Sequence, residues 1–114
     1  MIWYIGLGSA LGGMFRYLLG GWIQRVAGHG FPLGTLVINV SGSLALGILL
    51  RWASPPPTLN PDLRAFLTIG LCGGFTTFST FSAETVTLLQ DGQWGKATTY
   101  ILLSVTLSLA ATAA

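Results

Sequence analysis

Long stretches without a charged side chain alternate with short polar ones along this chain. Residues 31–50, 65–83 and 97–114 contain no Asp, Glu, Lys or Arg, and residues 1–22 contain only Arg16. Each run approaches the roughly 20 residues that cross a bilayer core as a helix. The pattern predicts four transmembrane helices joined near residues 25–30, 53–62 and 90–96. It leaves no room for a separate soluble part, so residues 1–114 read as one all-α membrane domain.

The third run interrupts itself. It carries "GGFTTFSTFSAE", residues 73–84, where Gly73-Gly74 weakens helix propagation and the Thr76 and Thr77 hydroxyls compete for backbone groups. A break at mid-membrane is expected there. Broken backbone persists at that depth only against protein or a water-filled cavity. Its free carbonyls can hold a cation, and its free amides can face an anion. A glycine kink for close packing is the simpler alternative.

Polar side chains recur at helical spacing on three of the runs: Thr35, Asn39 and Ser43; then Thr77, Thr80, Glu84 and Thr87; then Lys96, Tyr100, Ser104, Ser108 and Thr112. A lone hydroxyl bonds back to its own helix at little cost, but stripes on several helices suggest a shared polar path. Asn39, mid-span, needs partners, either a neighbouring helix or an anion. Phe78 and Phe81 share a helical face that should meet protein. Such a pair is usually core, although ring edges carry partial positive charge. Arg16 and Glu84 are the intramembrane ionisable groups; they can pair, or Arg16 can attract anions in a vestibule. Donor-rich lining without carboxylates favours an anion as the passing species.

Composition narrows the partners. The chain is 52% hydrophobic and 7% charged, with a net charge of +2 and no basic block, which sets nucleic acid aside and leaves lipid as the surroundings. Cys72 is the single cysteine and can form no internal disulfide, and His29 stands alone in a loop without companion metal ligands. The glycines from Gly6 to Gly12 lack the acidic residue and βαβ context of a dinucleotide loop. Gly8 and Gly12 form a G-x-x-x-G pair suited to close helix contact, as do Ser43 and Gly47 in the second run. The N-terminus has no basic region or cleavage site and reads as a retained span. Trp3, Tyr4, Trp22, Trp52 and Trp94 fall near span ends, where amphipathic rings favour the headgroup layer.

Following the chain through four spans places Arg25 and Lys96 on one membrane face, and Arg51 and Arg64 on the other. Orientation normally follows an excess of Lys and Arg in cytoplasmic loops. Without that excess, a chain can insert both ways up and form a dimer of oppositely oriented copies.

With "GGMFRYLL" around Arg16, "GTLVINVSGS" around Asn39 and "GGFTTFSTFSAE" in this order, the chain resembles the small fluoride channels of the Fluc or CrcB family over nearly its whole length. The resemblance implies an antiparallel, dual-topology homodimer with two pores in the bacterial cytoplasmic (inner) membrane. It also implies a structural sodium ion at the dimer centre, held by the Gly73 and Thr76 carbonyls. Phe78 and Phe81 match the paired rings whose edges approach fluoride, Asn39 matches the pore asparagine, and Ser108 and Thr112 match the last helix's polar track. Arg16, Thr35, Thr77, Thr80, Glu84, Tyr100 and Ser104 form the expected vestibule or secondary track. The fourth run stops at Ala114 without a polar tail, a departure from the family pattern that leaves this span near minimum length. No enzyme chemistry is expected. The rival readings are a proton-coupled exporter of toxic cations, like the small multidrug transporters, and a non-conducting scaffold. The exporter needs an acid in its first span, where this chain has Arg16 and no acid before Asp62.

Overall fold

The computed structural model describes residues 1–28, 30–52 and 60–113, with only the backbone of Trp52. His29 and most of the second connection, from residue 53 to 59, lie outside the described residues, as does Ala114. Helices account for nearly all of the remainder: α1 (Ile2–Ala27), α2 (Leu33–Trp52), α3 (Pro61–Ala65), a π-helical turn pair (Phe66–Cys72), α4 (Gly73–Phe75), α5 (Phe78–Gln90) and α6 (Trp94–Ala113). There is no strand among the described residues. Pro61 opens α3 in the first turn, where its missing N–H costs nothing, and the Asn60 side chain accepts from the Asp62 N–H at 2.8 Å. The third run is therefore longer than expected, running from Pro61 to Gln90 in two halves.

The break falls at the threonine end of the stretch that the sequence pattern predicts. Gly73 and Gly74 stay helical, and the chain becomes extended at Thr76 (φ −86°, ψ 156°) and Thr77 (φ −151°, ψ 124°). Packing explains the glycines. A Cβ on Gly74 would lie 2.5 Å from the Ser9 carbonyl oxygen, and one on Gly8 would lie 2.5 Å from the Phe66 carbonyl oxygen. Gly12 meets the Leu71 and Phe75 backbone, and Gly70 meets Ile5 and Gly8. Small residues thus let α1 lie directly against the first half of the broken helix, with backbone touching backbone. At the opposite end Gly47 lies against the Thr112 backbone, bringing α2 onto α6.

Large apolar side chains point the other way. Trp3, Leu7, Phe15, Tyr17, Leu18 and Trp22 on α1 are exposed, as are Leu102, Val105 and Leu109 on α6. On these two helices the buried residues are Gly8, Gly12, Ala97, Tyr100 and Ser104. Water would penalise a surface of this kind, whereas lipid accommodates it. Leu33–Arg51 and Pro61–Gln90 are long and apolar enough to cross a membrane by length and hydropathy. Helices α1 and α6, with 26 and 20 residues, span roughly 39 and 30 Å at about 1.5 Å per residue, enough for the same thickness.

Candidate ion pathway

Breaking a helix strands the amides and carbonyls on either side of the gap. Here α2 supplies the missing partners. The Thr77 N–H donates to Asn39 Oδ1 at 2.9 Å, and Asn39 Nδ2 donates to the Thr77 carbonyl at 3.1 Å. A side-chain amide has the same donor and acceptor as a peptide group, so one asparagine replaces both lost bonds. The interhelical partner expected for Asn39 is thus Thr77. Among the described residues, the second N–H of Asn39 has no protein partner. Thr77 also caps α5, its Oγ1 accepting from the Thr80 N–H at 3.4 Å. The positive end of the α5 dipole is thereby held at the break.

The Gly73 and Thr76 carbonyls lose their helical donors in this arrangement. The helical donors for Gly73 and Thr76 would be the N–H groups of Thr77 and Thr80, and those are spent on Asn39 Oδ1 and Thr77 Oγ1. The Gly74 carbonyl instead accepts from Arg16 Nε at 3.4 Å.

Beside the break runs a groove of about 330 Å³ lined by Asn39, Ser43, Phe78, Phe81, Ser104 and Ser108, with Thr76 and Thr77 at its wall. It gathers side chains from α2, α5 and α6, and none of its lining residues is charged. Ser104 is 6% exposed and its Oγ is buried with no hydrogen-bond partner among the described residues. The Phe78 and Phe81 rings lie 5.6 Å apart at 46°. Phe81 packs on Tyr100, whereas Phe78 touches Phe81 and is otherwise 77% exposed in the single chain.

A second cavity, of about 290 Å³, lies across the Asn39–Thr77 pair and shares Thr77 with the groove. Arg16, Thr35, Thr80 and Glu84 line it, joined by Gln24 and Arg25, which the sequence pattern did not single out. Arg16 and Glu84 share this space without forming an ion pair among the described residues. Glu84 Oε1 instead accepts from the Tyr100 hydroxyl at 3.1 Å, and Tyr100 is fully buried, edge-on to Phe31. Two members of the α6 stripe therefore leave the groove: Tyr100 turns to Glu84, and Thr112 Oγ1 donates to the Ser43 carbonyl at 3.2 Å.

Chemically the two spaces differ. The cavity holds two guanidinium groups, hydroxyls and the Glu84 carboxylate at a mouth, whereas the groove is uncharged and offers neutral donors, the Phe78 and Phe81 rings and the aliphatic Val105 and Leu109. Together they can receive an anion and then solvate it without a fixed cation to trap it.

Comparison with known proteins adds an independent line. A family model described as "CrcB-like protein, Camphor Resistance (CrcB)" matches residues 3–114. A protein of Syntrophotalea carbinolica named fluoride-specific ion channel FluC is 47% identical over 106 residues, covering 93% of this chain and 86% of the relative. Proteins of the same name from Geobacter metallireducens and Agrobacterium fabrum are 46% and 43% identical, covering 95% and 94% of this chain and 87% and 86% of their own lengths.

Proposed function

Because the chain belongs to the CrcB family, we propose that it is a fluoride-selective passive channel in the bacterial inner membrane that lets the cell shed fluoride. It is a membrane transporter and not an enzyme. The observation that carries the pathway is the uncharged groove, which places the Asn39 amide, the Ser104 and Ser108 hydroxyls and the Phe81 ring beside a break in the third helix. Fluoride is small and holds its water tightly, so conduction needs donors that replace water at each step and release the ion at the next. Neutral N–H and O–H groups and ring edges satisfy both demands. Arg16 acts earlier, at the mouth, where it raises the local anion concentration.

The finer assembly is part of this proposal. An antiparallel homodimer is supported by the balanced loop charges and by the exposed Phe78 ring, which a second copy would cover. The Gly73 and Thr76 carbonyls fit a sodium ion, since hard cations prefer oxygen and both carbonyls have lost their helical donors. Two such pairs from facing copies would supply four oxygens. When bound, the ion would contribute positive potential near the groove; the neutral side chains alone carry the fluoride. A C-terminal tag should be accessible from both membrane faces in roughly equal amounts. Tags on one face only would rule out the antiparallel pair.

Ser104 supplies a direct test of the pathway. Its Oγ has no protein partner, so Ser104→Ala removes a buried polar group without orphaning another, and stability should hold or rise by about 1 kcal/mol. Fluoride efflux from liposomes, followed with a fluoride electrode, should nevertheless fall several-fold, on the order of 10-fold for one lost donor. Unchanged efflux from Ser104→Ala would remove that hydroxyl from the pathway.

A further inference from the structure

The Gln24 side chain makes three hydrogen bonds to backbone groups around one turn, and neither the break nor the groove uses it. Helix α1 ends at Ala27 and the chain turns through Gly28 at φ +89°, a conformation open to glycine. Such a turn leaves carbonyls of one helix and amides of the next without partners. The Gln24 amide meets three of them. Nε2 donates to the carbonyls of Gly28 and, at 2.9 Å, Phe31, while Oε1 accepts from the Gly34 N–H at 3.0 Å. Gly34 in turn packs against the Gly20 backbone one turn earlier on α1. The start of α2, and with it Thr35, is therefore pinned to α1 by this one neutral side chain.

Gln24 also stands between two cavities of opposite character. On one side is the mouth, where Arg16 and Arg25 outnumber the Glu84 carboxylate. On the other is a space of about 400 Å³ whose lining includes Glu84, Thr87, Asp91 and Gln93, with the single Lys96 Nζ beside its Gly30. Only Gln24 and Glu84 line both. Glu84 is engaged by the Tyr100 hydroxyl, which leaves Gln24 and the turn it holds as the remaining wall.

We propose that Gln24 is a positioning residue for anion access: by fixing the α1–α2 turn, it separates the cationic mouth from the acidic cavity and shields arriving fluoride from Asp91. This rests on the channel reading above and is tested with fluoride itself, in liposomes at low ionic strength. Gln24→Ala and the volume-keeping Gln24→Met should lower flux about three- to tenfold at low fluoride, while flux at high fluoride stays within about twofold. Adding Asp91→Asn to Gln24→Ala should restore most of the loss, yet Asp91→Asn alone should leave flux unchanged. A purely structural role would give an equal loss at all fluoride concentrations and no rescue by Asp91→Asn; either result overturns the proposal. If the Gln24 variants do not fold, Asp91→Lys in the otherwise unaltered chain decides. No change in low-fluoride flux supports the wall, and a rise of about twofold or more shows the cavities connected. Wild-type protein that passes no fluoride would instead fail the channel reading itself, and the proposal with it.

Discussion

Asn39→Ala should abolish most fluoride conduction, lowering efflux on the order of 100-fold, and should also weaken the fold. Two separate losses combine. The groove loses its amide donor, and the Thr77 N–H and carbonyl, now bonded to Asn39 at 2.9 and 3.1 Å, lose their partners. An orphaned buried backbone group costs about 1–3 kcal/mol, and no water at that depth replaces the partner freely. Asn39→Asp separates the two effects. Its carboxylate still accepts from the Thr77 N–H but sets a second oxygen against the Thr77 carbonyl and adds a negative charge beside the groove. That variant should keep more of the fold than Asn39→Ala while conducting no better. Thermal unfolding in detergent and efflux from the same preparations check both statements. An Asn39→Ala protein with normal stability and normal flux would contradict the bonding at the break.

Gly74→Ala should cost more stability than any other single methyl added to the broken helix's first half. Its Cβ would lie 2.5 Å from the Ser9 carbonyl oxygen, 2.8 Å from its Cα and 3.0 Å from its carbonyl carbon, all backbone atoms of α1. No rotamer change relieves such contacts; α1 itself must move. Overpacking of this kind costs about 1–3 kcal/mol and sometimes more. A fall in the thermal midpoint of about 10 °C is expected. Gly6→Ala on the same α1 is the matched control, because a Cβ there meets nothing within 4 Å. It should leave the midpoint unchanged or raised, since alanine is the better helix former by about 1 kcal/mol. Equal behaviour of the two variants would contradict the close crossing of α1.

The four spans were legible because charge-free runs of membrane length leave few alternatives. The hydroxyl stripes were legible because steps of four keep side chains on neighbouring turns. The same steps explain where the stripes mislead. Each advance of four residues rotates a side chain by roughly 40° on an α-helix, so a stripe that starts at Tyr100 has turned well away by Thr112. In the structure Tyr100 faces Glu84, Ser104 and Ser108 face the groove, and Thr112 faces the α2 backbone. The break was foreseen within residues 73–77, from the glycines and the two threonines together. Which of these residues leave the helix is decided by tertiary contacts, with Asn39 capturing Thr77 while Gly74 stays helical against Ser9. The π-helical Phe66–Cys72 and the role of Gln24 leave no signature in composition or period. Both depend on how one helix meets another.

Fluoride and chloride efflux measured together from the same proteoliposomes tests the central claim most directly. A pathway in which neutral donors replace the water of a small, strongly hydrated halide should release fluoride at least about 100-fold faster than chloride. Equal release of the two ions, or none from folded protein, would contradict it.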